Sequence, residues 1–311
     1  MSTTDVVNPS AHLSEALEHV DLKSPLHMMA GRIKKHFKKA AFSSSGGMLV
    51  AGQHKFLTHE FPDSFTKKFP QLEVIFLSDV QYGHNECRVD KLIEYRDWIA
   101  AEPNRFCIFG GDMVDGWRVG SPGPGYDNWC QPSSQVFQFC ELMAPIRHKI
   151  LGSVGGNHER RGQAGGVDLG KLISFILEIP YSEGAQMISL KYGKHTQETQ
   201  QLGQFDIYAW HGSGAAASPG GRVNMTLKAV PNDEAKMYFS GHIHHPHVWP
   251  NWRTRRDHKR QKMWHEKYYV VSASHFLNFY GTYAEVFGAT YTGLMMPVAL
   301  IFADGRYRVE I

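Results

Sequence analysis

Short apolar runs that each end in a polar, glycine-rich turn recur along the sequence from Leu72 onward. The first three are LEVIFLSD (72–79), FCIFGGD (106–112) and KILGSVGGNHE (149–159). The sequence between them predicts helices over 86–102 and 134–147. Strand, polar turn and helix in alternation is typical of an α/β domain with a parallel sheet.

A second series of apolar runs has little predicted helix between its members. These runs are 207–212, 237–245, 267–274 and 297–304. We expect them to form a second sheet, mixed or antiparallel, that packs on the first as the other half of a sandwich.

Composition excludes several classes of protein. The chain has 311 residues, of which 42% are apolar and 20% charged, and this balance excludes disordered and fibrous proteins. The net charge of +3 excludes a general polycation, so any basic function must be local. The longest apolar stretches, such as Met295–Phe302 with its Pro297, are far shorter than the 20 or so residues of a membrane span. We therefore expect no membrane span.

The N-terminal sequence and the cysteines suggest a location. The first 20 residues are polar and acidic, unlike a secretory signal. The four cysteines form no CxxC pair and are too few to cross-link a chain of this length. Both features favour the reducing cytoplasm.

Residues 1–45 differ in pattern from the rest and are predicted to be an N-terminal extension. Within it, residues 24–41 place apolar side chains on one side of a helix beside five lysines and arginines, which indicates a basic amphipathic helix. This helix can dock on the domain with a solvated basic face, or contact nucleic acid or a membrane surface. SSSGG (43–47) is typical of a linker, and 46–311 is predicted to be the catalytic domain.

Eighteen histidines are an unusual number, and several stand in the turns that follow the apolar runs. Five such turns contain carboxylate, amide or imidazole side chains: Asp79 and Gln81; Asp112 and Asp115; Asn157 and His158; His211; His242 and His244. Residues just past the carboxyl ends of strands converge in open α/β sheets. The pattern therefore predicts a site for hard or borderline divalent metals.

These motifs, in this order, resemble the calcineurin-like metallophosphoesterase superfamily, whose signature is DxH, GDxxD, GNH(D/E), a single His and GHxH. The resemblance covers Leu72 to His245. It implies an α/β fold, a four-layer αββα sandwich of two mixed sheets flanked by helices, with two divalent metal ions that share a bridging carboxylate.

The resemblance also assigns roles to residues. It implies a first metal held by Asp79, Gln81, Asp112 and His244, and a second held by Asp112, Asn157, His211 and His242. Asp112 would be the bridge, and His158, oriented by Asp115, would protonate the leaving group. The sequence departs from the family at Gln81, where His is usual. Because an amide oxygen is a harder and weaker donor than imidazole, we expect a weaker first site that prefers Mn²⁺, Mg²⁺ or Fe over Zn²⁺.

The chemistry of such a site follows from general principles. Two divalent ions about 3.5–4 Å apart lower the pKa of a shared water, supply a hydroxide that attacks phosphorus, and neutralise the charge on the phosphoryl oxygens. A His beside a carboxylate can protonate the departing oxygen near neutral pH. We therefore expect a metal-dependent phosphoesterase, with Mn²⁺ the favoured metal.

Candidate substrate contacts are less specific. His84 closely follows the first motif, Arg160 and Arg161 follow GNHE, and Arg222 stands in the glycine-rich loop 212–222. An arginine can clamp phosphate oxygens with two hydrogen bonds. The alternative roles are helix capping or pairing with Glu159 for the two adjacent arginines, and a surface loop for Arg222.

Two further segments bear on the substrate. The insert 116–132 contains Trp117, Tyr126 and Trp129, which can stack on a base or pack the insert onto its own domain. The run 253–262 is strongly basic, and it can be a solvated hairpin tip or a contact for a phosphate backbone.

These features favour a phosphodiesterase that acts on a nucleic acid or nucleotide. The alternatives are a phosphomonoesterase, including a protein phosphatase, and a catalytically silent nucleic-acid-binding module. Gly116 follows the second Asp of GDMVD where the Ser/Thr phosphatase branch has Arg, which disfavours a protein phosphatase. Gln81 is the residue that supports a silent module. The sequence does not determine the oligomeric state or the natural partner.

Overall fold

The structure is a computed structural model that describes residues 54–121, 125–193, 203–216, 218–280, 285 and 292–311. The predicted N-terminal extension (1–45), with its basic helix, and the 43–47 linker lie outside the described residues. Their assignment stays a prediction.

Twelve strands are present in the described part of the chain. They are β1 (Phe56–Glu60), β2 (Gln71–Leu77), β3 (Arg105–Phe109), β4 (Ile150–Val154), β5 (Tyr181–Ser182), β6 (Gln186–Lys191), β7 (Gln204–Ala209), β8 (Met237–Ser240), β9 (His247–Asp257), β10 (Lys262–Ser272), β11 (Val298–Phe302) and β12 (Tyr307–Glu310). They form two six-stranded sheets, with orders β12-β11-β2-β3-β4-β5 and β1-β6-β7-β8-β10-β9.

Six α-helices accompany the strands in the same described ranges. They are α1 (Asp63–Lys68), α2 (Val89–Ala101), α3 (Pro132–Met143), α4 (Asn157–Arg160), α5 (Leu169–Leu177) and α6 (Pro219–Leu227). The helices α2 and α3 correspond to the two helices that the sequence predicts between the first three apolar runs, which form β2, β3 and β4.

Both sheets are mixed, as the sequence predicts. In the first sheet β2, β3, β4 and β5 run parallel, β11 pairs antiparallel with β2, and β12 pairs antiparallel with β11. In the second sheet β1 is parallel to β6, β7 and β10 are parallel to β8, and the β6–β7 and β9–β10 pairs are antiparallel.

The two sheets pack face to face. The ring of Phe76 on β2 stacks on that of Phe239 on β8, with centroids 4.9 Å apart. Residues Val74–Leu77 are all fully buried, because β2 has a sheet on one face and helices on the other. The core of the domain therefore lies between the sheets and under the flanking helices.

Helices cover both outer faces of this sandwich. The helix α2 packs on β3, and α5 packs on β5 and on α3. On the second sheet, α6 packs on β10, and Leu227 contacts a buried cluster that includes Tyr238, Tyr268 and Val270. The arrangement confirms the expected four-layer αββα fold.

One strand assignment from the sequence is wrong. The run 297–304 was expected in the second sheet, but β11 pairs with β2 in the first, with Val298 opposite Ile75. The second sheet gains β1 and β6, which the sequence analysis did not identify. The physical reason is that β2 has an open edge, and backbone pairing fills it whatever the position of the partner in the chain.

The parallel strands place their carboxyl ends at common edges. In the first sheet these ends are Leu77, Phe109 and Val154, and in the second Ala209 and Ser240. None of the helices in the described residues has the length and apolar character that crossing a membrane requires.

Candidate metal centre

The seven residues predicted as metal ligands all lie in loops that leave the carboxyl ends of five strands. Asp79 and Gln81 follow β2, Asp112 follows β3, Asn157 begins α4 after β4, His211 follows β7, and His242 and His244 follow β8. Since β2, β3 and β4 are parallel, and β7 and β8 are parallel, the loops of each sheet meet at one edge. The structure brings all seven together.

Four of these side chains form one compact donor set. Asn157 Oδ1 lies 2.8 Å from His242 Nδ1 and 3.0 Å from His211 Nε2. Asp112 Oδ2 lies 3.2 Å from the same His211 nitrogen. One donor atom each of Asp112, His211 and His242 falls within 4.8 Å of the others, as a shared metal ion requires. This set matches the predicted second metal.

The protonation of His211 explains why a cation fits there. Its Nδ1 lies 2.8 Å from the carbonyl oxygen of Gly110, which accepts only, so Nδ1 carries the proton. In a neutral ring Nε2 then directs a lone pair at the oxygens of Asn157 and Asp112. Burial disfavours the charged ring, but Asp112 outweighs it and raises the pKa of His211 to about 10. A positive charge, whether a proton or a metal ion, is favoured at this point.

A second donor set surrounds Asp79. Its Oδ1 lies 3.1 Å from His244 Nε2, and its carboxylate accepts hydrogen bonds from Ser78 Oγ at 2.6 Å and the backbone N–H of His242 at 2.9 Å. Burial favours the protonated carboxyl, yet the neighbouring His244 outweighs it and lowers the pKa of Asp79. Asp79 is therefore a buried carboxylate ready to bind a cation.

Gln81 is the part of this set that the sequence left in doubt. Its side chain is buried, and its Oε1 accepts no hydrogen bond from any described residue. Its Nε2 faces His158 Nε2 at 3.5 Å. An unpaired buried acceptor costs about 1–3 kcal/mol. A bound metal ion would be a partner for Gln81 Oε1 and would remove this cost. The donor set thus fits a hard divalent cation.

The backbone at these loops is strained. Seven residues other than glycine have positive φ in the described part of the chain, and five of them are predicted ligands: Asp79, Gln81, Asp112, His242 and His244. This conformation is uncommon for residues with a Cβ and persists where surrounding structure imposes it, often at functional sites. The loops hold their side chains in place against a local energetic cost.

His158 lies beside both donor sets. Its Nδ1 donates to Asp115, with the carbonyl oxygen at 2.9 Å and Oδ1 at 3.1 Å. Its Nε2 lies 3.7 Å from Asp112 Oδ2 and accepts a hydrogen bond from Arg161 Nη2 at 2.8 Å. Burial disfavours the charged ring, but Asp112 and Asp115 outweigh it and raise the pKa of His158.

Glu159 is a buried residue of the site, which the sequence suggested only as a possible ion-pair partner of Arg160 or Arg161. Its carboxylate accepts hydrogen bonds from the backbone N–H groups of Asp112, Met113 and Gly156. Burial and the nearby charge of Asp112 raise its pKa to about 7. Glu159 thereby joins the loop after β3 to the loop after β4 and fixes the spacing of Asp112 and Asn157.

Two further residues also escaped the sequence analysis. The His275 ring stacks on His244 at 4.7 Å, and His275 follows β10 in a polar turn, the same signal that identified the ligands. Asn128 donates to Asp115 Oδ2 at 3.0 Å and accepts from Gln135. His275 and Asn128 thus each contact a residue of the site without belonging to the predicted ligands.

The structure places the three predicted substrate contacts differently. His84 is buried close to Asp115 and His158, and burial lowers its pKa although the charges of Asp115 and other carboxylates act in the opposite direction. Arg160 Nη2 donates to the carbonyl oxygen of Glu183, whereas its neighbour Arg161 contacts both His158 and Asp115. Arg222 lies in α6, and its Nε donates to the Ala216 carbonyl oxygen.

The aromatic insert is packed rather than free. The ring of Trp129 meets Tyr82 edge to face at 5.2 Å, and Trp117 covers Gly125, where an added Cβ would lie 2.8 Å from the ring. Tyr126 is 80% exposed. The two tryptophans and Asn128 line a cavity of about 520 Å³. Residues 122–124 of the insert lie outside the described residues.

Comparisons with known proteins give similarity at low identity. A scan against protein-family models and a search of curated proteins found no match. Matching solved structures include a predicted phosphoesterase of Streptococcus pneumoniae TIGR4, at 15% identity over 77% of this chain and 97% of that chain, with a TM-score of 0.32. A metallophosphoesterase from Sphaerobacter thermophilus matches at 12% identity over 76% and 86% of the two chains, with a TM-score of 0.35.

A third match is the NAD nucleotidase of Haemophilus influenzae. It is 9% identical over 78% of this chain and 49% of that chain, with a TM-score of 0.32. Since the overall similarity is low, the chemistry of the site is derived from its own donors and distances.

Proposed function

We propose that this chain is a dinuclear metal-dependent phosphoesterase that hydrolyses a phosphodiester of a nucleic acid or nucleotide. One observation carries the proposal: two sets of metal-binding side chains meet beside a histidine that is hydrogen-bonded to a carboxylate. Asp112 belongs to the second set and lies within 3.7 Å of that histidine, His158.

The residues that would hold two divalent cations are the seven of the donor sets. Asp79, Gln81 and His244 would bind the first, Asn157, His211 and His242 the second, and Asp112 both. Oxygen and imidazole donors without thiolate suit Mn²⁺, with Fe, Mg²⁺ and Zn²⁺ as alternatives. When bound, such ions lower the pKa of a water and neutralise charge on the phosphoryl oxygens.

The protein's own residues would move the proton and orient the substrate. As the bond from phosphorus to the leaving oxygen breaks, His158 Nε2 gives its proton to that oxygen. Asp115 holds the opposite ring nitrogen and stabilises the charged ring before transfer. Arg161 donates to Nε2 in this structure, so its guanidinium would shift to a phosphoryl oxygen when substrate enters, and Nε2 would take up a proton from solvent before it protonates the leaving oxygen.

The preference for a diester is supported by the surroundings of the His158–Asp115 pair. The cavity beside Trp117 and Trp129 shares Asn128 with this pair, because Asn128 lines the cavity and donates to Asp115. A diester carries an organic group on each side of phosphorus, and a cavity of about 520 Å³ is large enough for one of them. The cytoplasm is the proposed location, on the evidence of the four cysteines without a CxxC pair.

The test compares two aryl phosphates on purified protein. Bis(p-nitrophenyl) phosphate and p-nitrophenyl phosphate are incubated with Mn²⁺, with EDTA, and with the Asp112→Asn variant to detect contaminating enzymes. We expect Mn²⁺-dependent hydrolysis that is faster for the diester and lost in the variant. Faster monoester hydrolysis would replace the diester proposal. Bound metal below two ions per chain, with no hydrolysis, would favour a silent binding module.

A further inference from the structure

The strands β9 and β10 extend well beyond the sheet to which they belong. Each has 11 residues, and they pair along their whole length. The neighbouring strand β8 pairs only with Tyr269–Ser272 of β10. The outer part, Asn251–Tyr268, is therefore a two-stranded ribbon, called here the arm.

One face of the arm attaches it to the domain. On this face Arg255 forms ion pairs with Glu234 and with Glu266, at 2.8 Å for the latter. The guanidinium of Arg253 lies 4.4 Å above the ring of Tyr268 and donates to the hydroxyl of Tyr238 at 3.0 Å. Two of the basic residues in the predicted charge run thus have structural partners and are not available to a ligand.

The opposite face is exposed and combines aromatic, apolar and basic side chains. The pairing register places Trp252 opposite Lys267 and Arg256 opposite Met263 on this face. Trp252 is 57% exposed and Met263 67% exposed. The Lys267 ammonium lies 5.7 Å from the Trp252 ring. Exposed aromatic and apolar side chains beside basic ones are typical of a surface that binds a partner.

Much of the positive charge of this face and of the tip has no ion-pair partner, although Arg260 Nε lies 3.9 Å from Asp257 Oδ2 at the tip. Arg256 on this face, and Lys259 and Lys262 at the tip, form no ion pair with any residue that the structure describes, and all three are exposed. The register places Lys262 opposite Asp257, at the edge of the tip and on the other face of the ribbon. At the tip, Asp257 accepts hydrogen bonds from the backbone N–H groups of Lys259 and Arg260. These bonds do not involve the side chain of Lys259, which is exposed. The partner of this face must therefore be anionic along an extended path and carry flat apolar groups.

We infer that the arm binds single-stranded nucleic acid, with Arg256, Lys259 and Lys262 on backbone phosphates and Trp252 stacked on a base. A basic groove combined with aromatic side chains is how proteins bind single strands without sequence preference. A duplex hides its base faces and would leave Trp252 and Met263 uncovered. This inference deepens the proposed phosphodiesterase by naming a polymeric substrate.

The arm also connects the predicted metal centre to this surface. The strand β9 begins at His247, three residues after the predicted ligand His244, and β10 ends three residues before His275. Strands of 11 residues extend about 33 Å. A strand bound at the metal centre would have to reach most of this length to contact Arg256 and the tip.

The experiment measures binding of the full chain to a fluorescently labelled 20-nucleotide oligothymidylate in EDTA, where hydrolysis is not expected. The arm variant carries Arg256→Gln, Lys259→Gln and Lys262→Gln together. Its matched control carries Lys67→Gln, Lys68→Gln and Arg306→Gln, which remove the same charge from exposed sites elsewhere. A third variant is Trp252→Ala, and thermal unfolding verifies that each variant folds.

We expect the arm variant to raise Kd at least tenfold and to reduce the slope of log K against log salt by about 2, since each phosphate contact contributes about 0.7. Trp252→Ala should raise Kd between 5- and 100-fold without changing the slope. The control should change Kd less than threefold.

Three results would overturn the inference. They are equal losses in the arm variant and its control, equal affinity for the corresponding duplex, and a dimer that dissociates on Trp252→Ala while Kd is unchanged, which would identify a second copy as the partner. The proposed phosphodiesterase fails separately. If arm-dependent binding is present but bis(p-nitrophenyl) phosphate is not hydrolysed, the arm stands and the enzyme proposal is wrong.

Discussion

The loop that carries His242 and His244 ends where the arm strand β9 begins, three residues after His244, but the candidate metal centre and the arm hold charge in opposite ways. In the loops, Asp79 and Asp112 are almost wholly buried, and each is hydrogen-bonded or paired with a histidine. On the exposed face of the arm, Arg256 and Lys259 have no ion-pair partner among the described residues.

The backbone differs in the same direction. Five predicted ligands have positive φ, held there by contacts such as those of Glu159, whereas the arm is regular antiparallel ribbon. Catalytic groups must be held in fixed positions by the residues around them. A surface that binds a flexible polymer needs side chains that are exposed and can adapt to it. We therefore expect substitutions in the loops to change catalysis and stability, and substitutions on the arm to change binding.

The largest expected effect is on catalysis at Asp112. In this structure the backbone N–H of His158 donates to Asp112 Oδ1 at 2.8 Å. Asp112→Asn keeps an oxygen for this hydrogen bond but removes the negative charge that both donor sets are proposed to share. We expect kcat for Mn²⁺-dependent diester hydrolysis to fall on the order of 1,000-fold, with a native circular dichroism spectrum. The control Asp304→Asn changes an exposed carboxylate that pairs with Arg306. Retention of a tenth of the activity by Asp112→Asn would show that Asp112 is not the shared ligand.

Next in size is the effect of Glu159 on stability. Glu159→Gln presents an amide to three backbone N–H donors that need an acceptor, in a fully buried site. We expect a loss of about 2–4 kcal/mol in the free energy of unfolding, measured by urea denaturation. The exposed Glu141→Gln should change it by less than about 0.5 kcal/mol. Equal midpoints for the two variants would mean that Glu159 does not join the loops.

Two adjacent arginines are expected to differ in their effect on kcat, because only one of them contacts His158. Arg161 donates to His158, whereas Arg160 donates to the carbonyl oxygen of Glu183. We expect Arg161→Ala to lower kcat by about 10- to 100-fold, the value of one charge-assisted hydrogen bond, and Arg160→Ala to change it less than threefold. Steady-state kinetics on the diester decide between them. The reverse order would make Arg160, and not Arg161, the substrate contact.

Two glutamines with similar backbone conformations allow the metal centre and the arm to be compared directly. Gln81 (φ 48°) lies among the donors and Gln261 (φ 51°) lies at the tip of the arm. Gln81→His should tighten metal binding about tenfold, and more for Zn²⁺ than for Mn²⁺, because imidazole is the softer donor. Gln261→His serves as the control, with no change expected in calorimetric titration. Unchanged affinity in both variants would remove Gln81 from the ligand set.

The smallest expected effect is that of the arm on folding. Trp252→Ala should change the free energy of unfolding by less than about 1 kcal/mol, because its ring is largely exposed. Phe76→Ala, which removes a fully buried ring stacked on Phe239, should cost about 3–5 kcal/mol. A cost for Trp252→Ala close to that of Phe76→Ala would show that the arm is part of the core.

The positions of the loops that carry the predicted ligands followed from the sequence, because each strand and the turn after it form locally. An apolar run that ends in glycine and a polar residue specifies a strand and the turn after it, and parallel strands then bring those turns together. Asp79, Asp112 and His211 were found in this way. His275 carries the same signal after β10, although the sequence analysis did not use it.

Other features of the site depend on contacts between distant parts of the chain. Glu159 bonds the amides of Asp112 and Met113, 46 or 47 residues earlier, and no local pattern indicates that its side chain turns toward them. The choice of Arg161 over Arg160 depends on the direction in which one turn of α4 presents each side chain. The placement of β11 depends on which sheet has an open edge.

By itself the sequence determined the alternation of strands and helices, the two-sheet class of fold and the residues able to bind metal, because local hydrophobic pattern and turn chemistry specify these. Tertiary structure alone decided how the donors group, which arginine reaches His158, and which basic residues of 253–262 are paired and which are exposed. The reason is that distances between side chains far apart in sequence are set by the packing of the two sheets, and packing is a property of the whole chain.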